Sequence, residues 1–290
     1  MALTDEVRSA CAEIARTARH VRIDADRLEA VDPGPPPELD RERHYLEGAP
    51  ADVADFMLIL DSINFGSGWF PTLRKRPGMS GYFTVASSLT DFWRSSGGWS
   101  VDQLRALKAA DVAGVLAQES GHELMTLYAD ALRALGRFLD GRGALELVSE
   151  AGDSAERLAS MLAAGMAFFD DAGFWKRAQI VPNDLALAGV AEFHDLDRLT
   201  IFADNLVPHV LRVDGALVYD PALAARIDAG VLLAPGDEER EIRGCAVHAC
   251  ELLAKRLGMP PRLLDVALWT KGQAPEYKAV PRHRTRTVFY

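Results

Sequence analysis

Apolar residues recur at three- and four-residue spacing along most of this chain, and that period leaves room for little but helices. Phe56, Ile59, Leu60 and Ile63 follow it, as do Leu124, Leu127, Tyr128, Ala131, Leu132 and Leu135. Side chains at those intervals share one helical face, whereas a half-buried strand requires strict alternation. Start signals agree. "SVDQLRALKAADVAGVLA" has Ser100 followed three residues on by Gln103, the capping-box pattern, and "DSAERLASML" offers Asp153 or Ser154 as an N-cap. Extended signals are confined to "ALVYD" around Val218 and the terminal "TRTVFY". The expected fold class is mainly α, a single globular helical domain with a small accessory β element.

The Pro-rich "VDPGPPPELD" at 31–40 cannot be helical throughout and is expected to be a stiff connector. Residues 1–39 are thus an N-terminal helical segment plus connector, attached to a unit that runs to 290. Segments 74–81 and 234–241 are expected to be connections between helices. With 290 residues and 49% hydrophobic content the chain can bury a sizeable core. A formal net charge of −10 disfavours long phosphate backbones, so no nucleic-acid duplex is expected as partner. Three cysteines, Cys11, Cys245 and Cys250, show no CxxC spacing, which fits a reducing, cytoplasmic setting. The first residues mix acids with bases and lack the apolar core of a secretion signal. No run is long and apolar enough to span a bilayer, so no membrane partner is expected.

Against this background one carboxylate stands out. "TIFADNLVPHVL", 200–211, holds Asp204 within an otherwise almost wholly apolar stretch. A buried carboxylate without a partner costs several kcal/mol or takes up a proton, so such an acid needs a reason. It can cap a helix starting at Asn205, or stand at the wall of a pocket beside the aromatic face of Phe202. Both can hold together, because a cap fixes the rotamer that a pre-organised anion requires. In "FWKRAQIVPND", 174–184, Lys176 sits between Trp175 and an apolar run and is a candidate ligand for a phosphate or carboxylate, while Arg177 is expected to be a solvated helix charge. His194 and Asp195 have no complementary ligand at helical spacing, so no metal and no cofactor are expected. Hydrolase elbows and nucleotide-binding glycine loops are missing from the sequence. The stretch 271–290 is locally basic, with Lys271, Lys278, Arg282, Arg284 and Arg286 against Glu276 alone.

Taken in order, "LDSINFGSGW" (60–69), "SGYFTVASSL" (80–89), "WKRAQI" (175–180), "LTIFADNLVPHVL" (199–211), "EIRGCAVHACEL" (241–252), "LLDVALW" (263–269) and "YKAVPRHRTRTVFY" (277–290) resemble the queuosine salvage proteins, the queuosine 5′-phosphate N-glycosylase/hydrolase family. The resemblance runs from about residue 40 to the end. It implies a helical core similar to that of helix-hairpin-helix DNA glycosylases. It also implies hydrolysis of the N-glycosidic bond of queuosine 5′-monophosphate to release queuine, with that small molecule as partner. The family's catalytic aspartate falls on Asp204. The substrate-binding positions fall on His44, Asn64, Phe65, Lys176, Phe202, Asp265 and Trp269, with His283 and its basic neighbours toward the 5′-phosphate. Where similar proteins read Tyr-Arg after the aspartate and Gln after the proline, this chain has Asn205, Leu206 and His209. A base-excision DNA glycosylase and a non-catalytic deazaguanine-nucleotide binding protein are the alternative classes.

Overall fold

The computed structural model describes residues 2–290, and within them the helical period is realised almost throughout. Two helices are buried nearly all round and form the centre. In Pro50–Ser62 every residue from Phe56 to Ser62 is buried, and in Lys176–Leu187 the run from Lys176 to Asn183 is. The first is mostly apolar, the second carries buried polar residues as well, and the two pack against each other. Burying Phe56, Met57, Leu58, Ile59 and Leu60 is worth about 2 kcal/mol each, an upper bound on their gross contribution. Polar residues on these two helices are therefore held by the most stable part of the molecule. Pro182 lies inside the second helix and frees a carbonyl of the preceding turn, just before Asn183 and Asp184.

The longest helix, Asp237–Leu257, has three acids in its first turn and Lys255 and Arg256 in its last, matching the helix dipole at both ends. It begins earlier than the sequence suggests, because Asp237 to Glu241 are its first turn rather than part of a connecting loop. The N-terminal helix Leu3–Thr17 crosses it closely at Gly244, where a Cβ would meet Ile14 Cγ2 at 2.7 Å. Leu3, Val7 and Cys11 thereby join the main core. The stretch 31–40 is neither helix nor strand, and its end contributes to the wall of the main cavity.

Leu217–Tyr219 is a strand, as "ALVYD" suggests, and pairs antiparallel with Val21–Ile23, Val21 facing Tyr219. The terminal "TRTVFY" forms no strand. Carbonyls from Arg284 onward are taken singly: Tyr290 O by the Gly66 N–H (3.0 Å), Val288 O by Arg177 (2.6 Å) and Arg284 O by the Leu233 N–H (2.9 Å). With its backbone satisfied piecemeal, the tail has no ladder to complete. It lies so close to Gly68 that a Cβ there would meet Thr285 O at 2.5 Å. Capping follows the sequence: Ser100 and Gln103 make a complete box, and Ser154 caps Ala155–Gly165. Asp195 supports that second cap from outside, accepting from Ser154 Oγ and the Ala155 N–H, both at 2.6 Å.

Candidate active site

The central helices, the 200–206 segment and the helix Pro261–Lys271 enclose a cavity of about 420 Å³. That is the size of a small-molecule site. Each residue of the 200–206 segment that carries the argument is pinned. The Thr200 N–H donates to Gln179 Oε1 (3.0 Å), the Phe202 N–H to Asp265 Oδ1 (2.9 Å), and Arg243 Nε to Ala203 O (2.9 Å). Asn205 Nδ2 donates to His283 O (3.0 Å). Arg243 is itself held by a buried ion pair with Asp171, and Asp171 in turn accepts from the Lys176 N–H (3.4 Å). The two segments carrying Asp204 and Lys176 thus share one clamp. Trp175, just before Lys176, has φ 46°, a left-handed conformation rare for an aromatic residue and maintained only because its surroundings enforce it.

Asp204 is both cap and pocket wall. Its Oδ1 accepts the N–H groups of Leu206 (2.7 Å) and Val207 (3.0 Å), while the side chain borders the cavity. The helix it caps is Val207–Val213, two residues later than a start at Asn205. Lys176 is buried beside it, and Nζ donates to Asn64 O (3.2 Å). Burial lowers the ammonium pKa, and the charge of Asp204 is the largest effect opposing that. Asp265 faces the same space. Burial, reinforced by the charge of Asp204, raises its carboxyl well above the usual carboxylate range.

The opposite wall is aromatic. Trp269 meets Tyr82 and Phe83 edge to face, at centroid distances of 5.4 and 5.5 Å. His44 is buried and its pKa is lowered by that burial, so the neutral ring fits the pair of contacts it makes: Nδ1 with Asp40 O (2.9 Å) and Nε2 with the Tyr82 hydroxyl (3.0 Å). Phe202 borders the cavity from the other side, and Asn64 lines it. Phe65 serves two purposes. It borders the cavity, yet it is buried against Tyr128 and Arg177 as a core residue.

Eight of the nine expected site residues therefore converge on one cavity, and His283 does not. Along the extended tail, neighbours point to opposite sides: Arg282 reaches the cavity and His283 turns into the interior, where burial pulls its ring down to about pKa 3. Arg177 also departs from expectation. It is buried rather than solvated, donating to Ser62 O (2.7 Å), Val288 O (2.6 Å) and Phe168 O, with its guanidinium over Phe65 and Phe169. Because Lys176–Leu187 is buried on every side, its charged residues have nowhere outward to go. Among the described residues no group of three or more His, Cys, Asp or Glu is arranged to hold a metal ion.

The sequence model of the queuosine salvage proteins matches residues 44–290, which include all eight of the converging site residues. This chain belongs to that family. It is 33% identical to a queuosine 5′-phosphate N-glycosylase/hydrolase of Sphaerobacter thermophilus over 280 residues, 88% of this chain and 86% of that protein. The like-named protein of Mus musculus is 31% identical over 219 residues, 66% of this chain and 64% of its own length. That of Nematostella vectensis is 29% identical over 297 aligned positions, covering 87% and 85%. No described helix is long and apolar enough to cross a membrane.

Site residues that the sequence did not single out are Asp184 and Tyr82 on the cavity wall, and Asp61 behind it, while Arg282, expected only as one of the basic neighbours of His283, is the one of that group on the wall. Asp61 carried the same signal as Asp204, an acid within the apolar run "FMLILDSINF". Asp184 carried none, since an acid after Pro-Asn looks like any helix surface charge.

Proposed function

We propose that this chain hydrolyses the N-glycosidic bond of queuosine 5′-monophosphate, releasing queuine and ribose 5-phosphate. The observation that carries this reading is Asp204, whose carboxylate is held by two backbone N–H groups against a cavity of nucleotide size. Cleavage of an N-glycosidic bond develops positive charge on the sugar, as in O-glycoside hydrolysis. An anion fixed beforehand stabilises that charge without reorganising as the bond breaks. Asp204 faces the ribose and takes a proton from the attacking water. Lys176 keeps the rotamer of Asp204 by charge and tempers repulsion among the surrounding acids. Phe202 and Trp269 wall the base, and Asp265 hydrogen-bonds its polar edge. Asn64, whose carbonyl binds Lys176, and Phe65 close the floor, while His44 fixes the Tyr82 hydroxyl at the rim.

The 5′-phosphate belongs at Arg282. Burial lowers its pKa, as does the charge of nearby Arg284, and Asp204 is the one acid that supports its charge. A dianionic phosphate would relieve that deficit. Lys75 lies in the same field, its pKa lowered by burial and by the charges of Arg282 and Arg284.

Incubation of the purified chain with queuosine 5′-phosphate, queuosine and guanosine 5′-phosphate in parallel, followed by chromatography of the free bases, tests the reading. Queuine is expected from the first. Release of base from none of the three refutes the assignment.

A further inference from the structure

Breaking the glycosidic bond leaves its electron pair on the departing base. The 7-deazaguanine ring has carbon where guanine has N7, so the usual site for protonating a leaving purine is missing. Another proton donor at the base side of the cavity would lower the barrier, and Asp204 cannot be it while it stabilises the sugar as an anion. A second pair of acids stands in the wall. Asp184 borders the cavity at half-burial; one oxygen accepts from Asn183 Nδ2 (2.9 Å), and the other has no partner among the described residues. Behind it lies Asp61, wholly buried on the neighbouring central helix, with no well-formed hydrogen bond to either oxygen although the Asn64 side chain is beside it. Asn183 is buried as well, and its Oδ1 is unpartnered.

The charge of Asp184 acts on Asp61, and burial penalises charge on both, so ionising the two carboxyls together carries a penalty. Burial pushes Asp184 up to about 6, with Asn183 and Lys176 opposing, and it pushes Asp61 well up, with the charge of Asp184 adding to the effect. The groups facing the pair from the surrounding elements are Lys176 and Arg177 on the helix of Asp184, Tyr82 across the cavity, and Asp265 on the helix Pro261–Lys271. Of these only Lys176 and Arg177 favour ionisation.

We propose that Asp184 is the general acid that protonates the departing base, and that Asp61 is a positioning residue that keeps the proton on the pair. The proposal rests on the N-glycosidase reading above. Water adds to C1′ and the C1′–N9 bond breaks. The electron pair passes into the base, whose ring nitrogen takes the Asp184 proton. Asp204 takes the proton from water and returns it, through solvent in the cavity, to Asp184. Nothing beyond substrate and water is consumed.

The test is the pH dependence of kcat for queuosine 5′-phosphate with the full-length chain and its Asp184→Asn and Asp61→Asn variants, each checked for folding by circular dichroism. In the parent, kcat is expected to fall on the alkaline side as the pair loses its proton. Asp184→Asn should lower kcat roughly 10²- to 10⁴-fold and abolish that alkaline limb. Asp61→Asn should retain more activity and shift the limb to lower pH, since the repelling neighbour is gone. An unaltered limb in Asp184→Asn overturns the proposal. So does a rise in KM alone, which would make Asp184 a contact to the cationic amine of the base. A parent that releases no base defeats the underlying reaction; an active parent with an insensitive Asp184→Asn variant defeats only this step.

Discussion

Replacing Asp204 with Asn removes one charge and little else. An amide oxygen can still accept the N–H groups of Leu206 and Val207, so the cap, the rotamer and the start of the helix Val207–Val213 are expected to survive. What disappears is the attraction between a carboxylate and the cationic sugar. At about 4 Å and an effective dielectric near 20 that attraction is worth about 4 kcal/mol. Since ~1.4 kcal/mol is tenfold in rate, about three decades of kcat are at stake. Lys176 beside the carboxylate screens part of this, which brings the expectation to between about 10²- and 10³-fold. Substrate affinity should change little, because the ground-state sugar is neutral. The assay is chromatographic release of queuine under saturating queuosine 5′-phosphate, paired with calorimetric binding of the substrate to the variant. Turnover within tenfold of the parent would refute the electrostatic argument. A loss of binding equal to the loss of turnover would show that Asp204 holds the ground state instead.

Three further outcomes follow from the same geometry. Arg282→Ala is expected to raise KM for the 5′-phosphate about 10- to 100-fold while leaving the handling of unphosphorylated queuosine unaffected, as one charge-assisted contact is lost; equal effects on both would place the phosphate elsewhere. Arg177→Met should destabilise the fold by about 3 kcal/mol or more, because the carbonyls of Ser62, Phe168 and Val288 lose their donor, lowering Tm by several degrees in a thermal melt. Asp61→Asn should stabilise the chain increasingly as pH rises above about 4. Its folded-state pKa is raised, so the unfolded chain gives up the proton first, and stability is lost between the unfolded value of 3.8 and the raised folded one. Denaturant titrations of parent and variant at acid and neutral pH would reveal the divergence, and parallel curves would contradict it.

The helical architecture was legible because a 3.6-residue period sums over many turns, and Asp204 because an acid in an apolar run violates that period. Lys176 was legible for the same reason, yet Arg177, its neighbour, was not. The two differ by about 100° around the helix, and one of them would point to solvent if the helix had a wet face. It has none, a fact that depends on what packs around Lys176–Leu187 and not on its own residues. The choice between His283 and Arg282 is likewise a matter of phase along an extended tail with no pattern to fix it. The strand Val21–Ile23 lies within the mixed sequence "RHVRID" and exists only because Leu217–Tyr219 arrives beside it. Three-residue pairing across that separation leaves no local trace.

The charge balance of the cavity links these residues into one argument. Asp61, Asp184, Asp204 and Asp265 lie around the buried ammonium of Lys176, with Arg177 acting on Asp61 and Arg282 on Asp204. Four ionised carboxylates in so dry a space would still repel one another, and burial drives Asp61, Asp184 and Asp265 toward their neutral forms. Asp204 differs from them in having two backbone N–H groups at a helix start to receive its charge. In the proposed mechanism these environments separate two tasks: Asp204, fixed by two backbone N–H groups, faces the cationic sugar, and Asp184 gives its proton to the departing base. Exchanging those environments, for instance by removing the Asp61 carboxyl and so letting Asp184 ionise, should impair departure of the base while leaving the sugar side intact. A solvent isotope effect on kcat that falls in Asp61→Asn, with substrate affinity maintained, is the signature of that loss. An isotope effect and rate both equal to the parent's would mean that the two carboxyls do not act together.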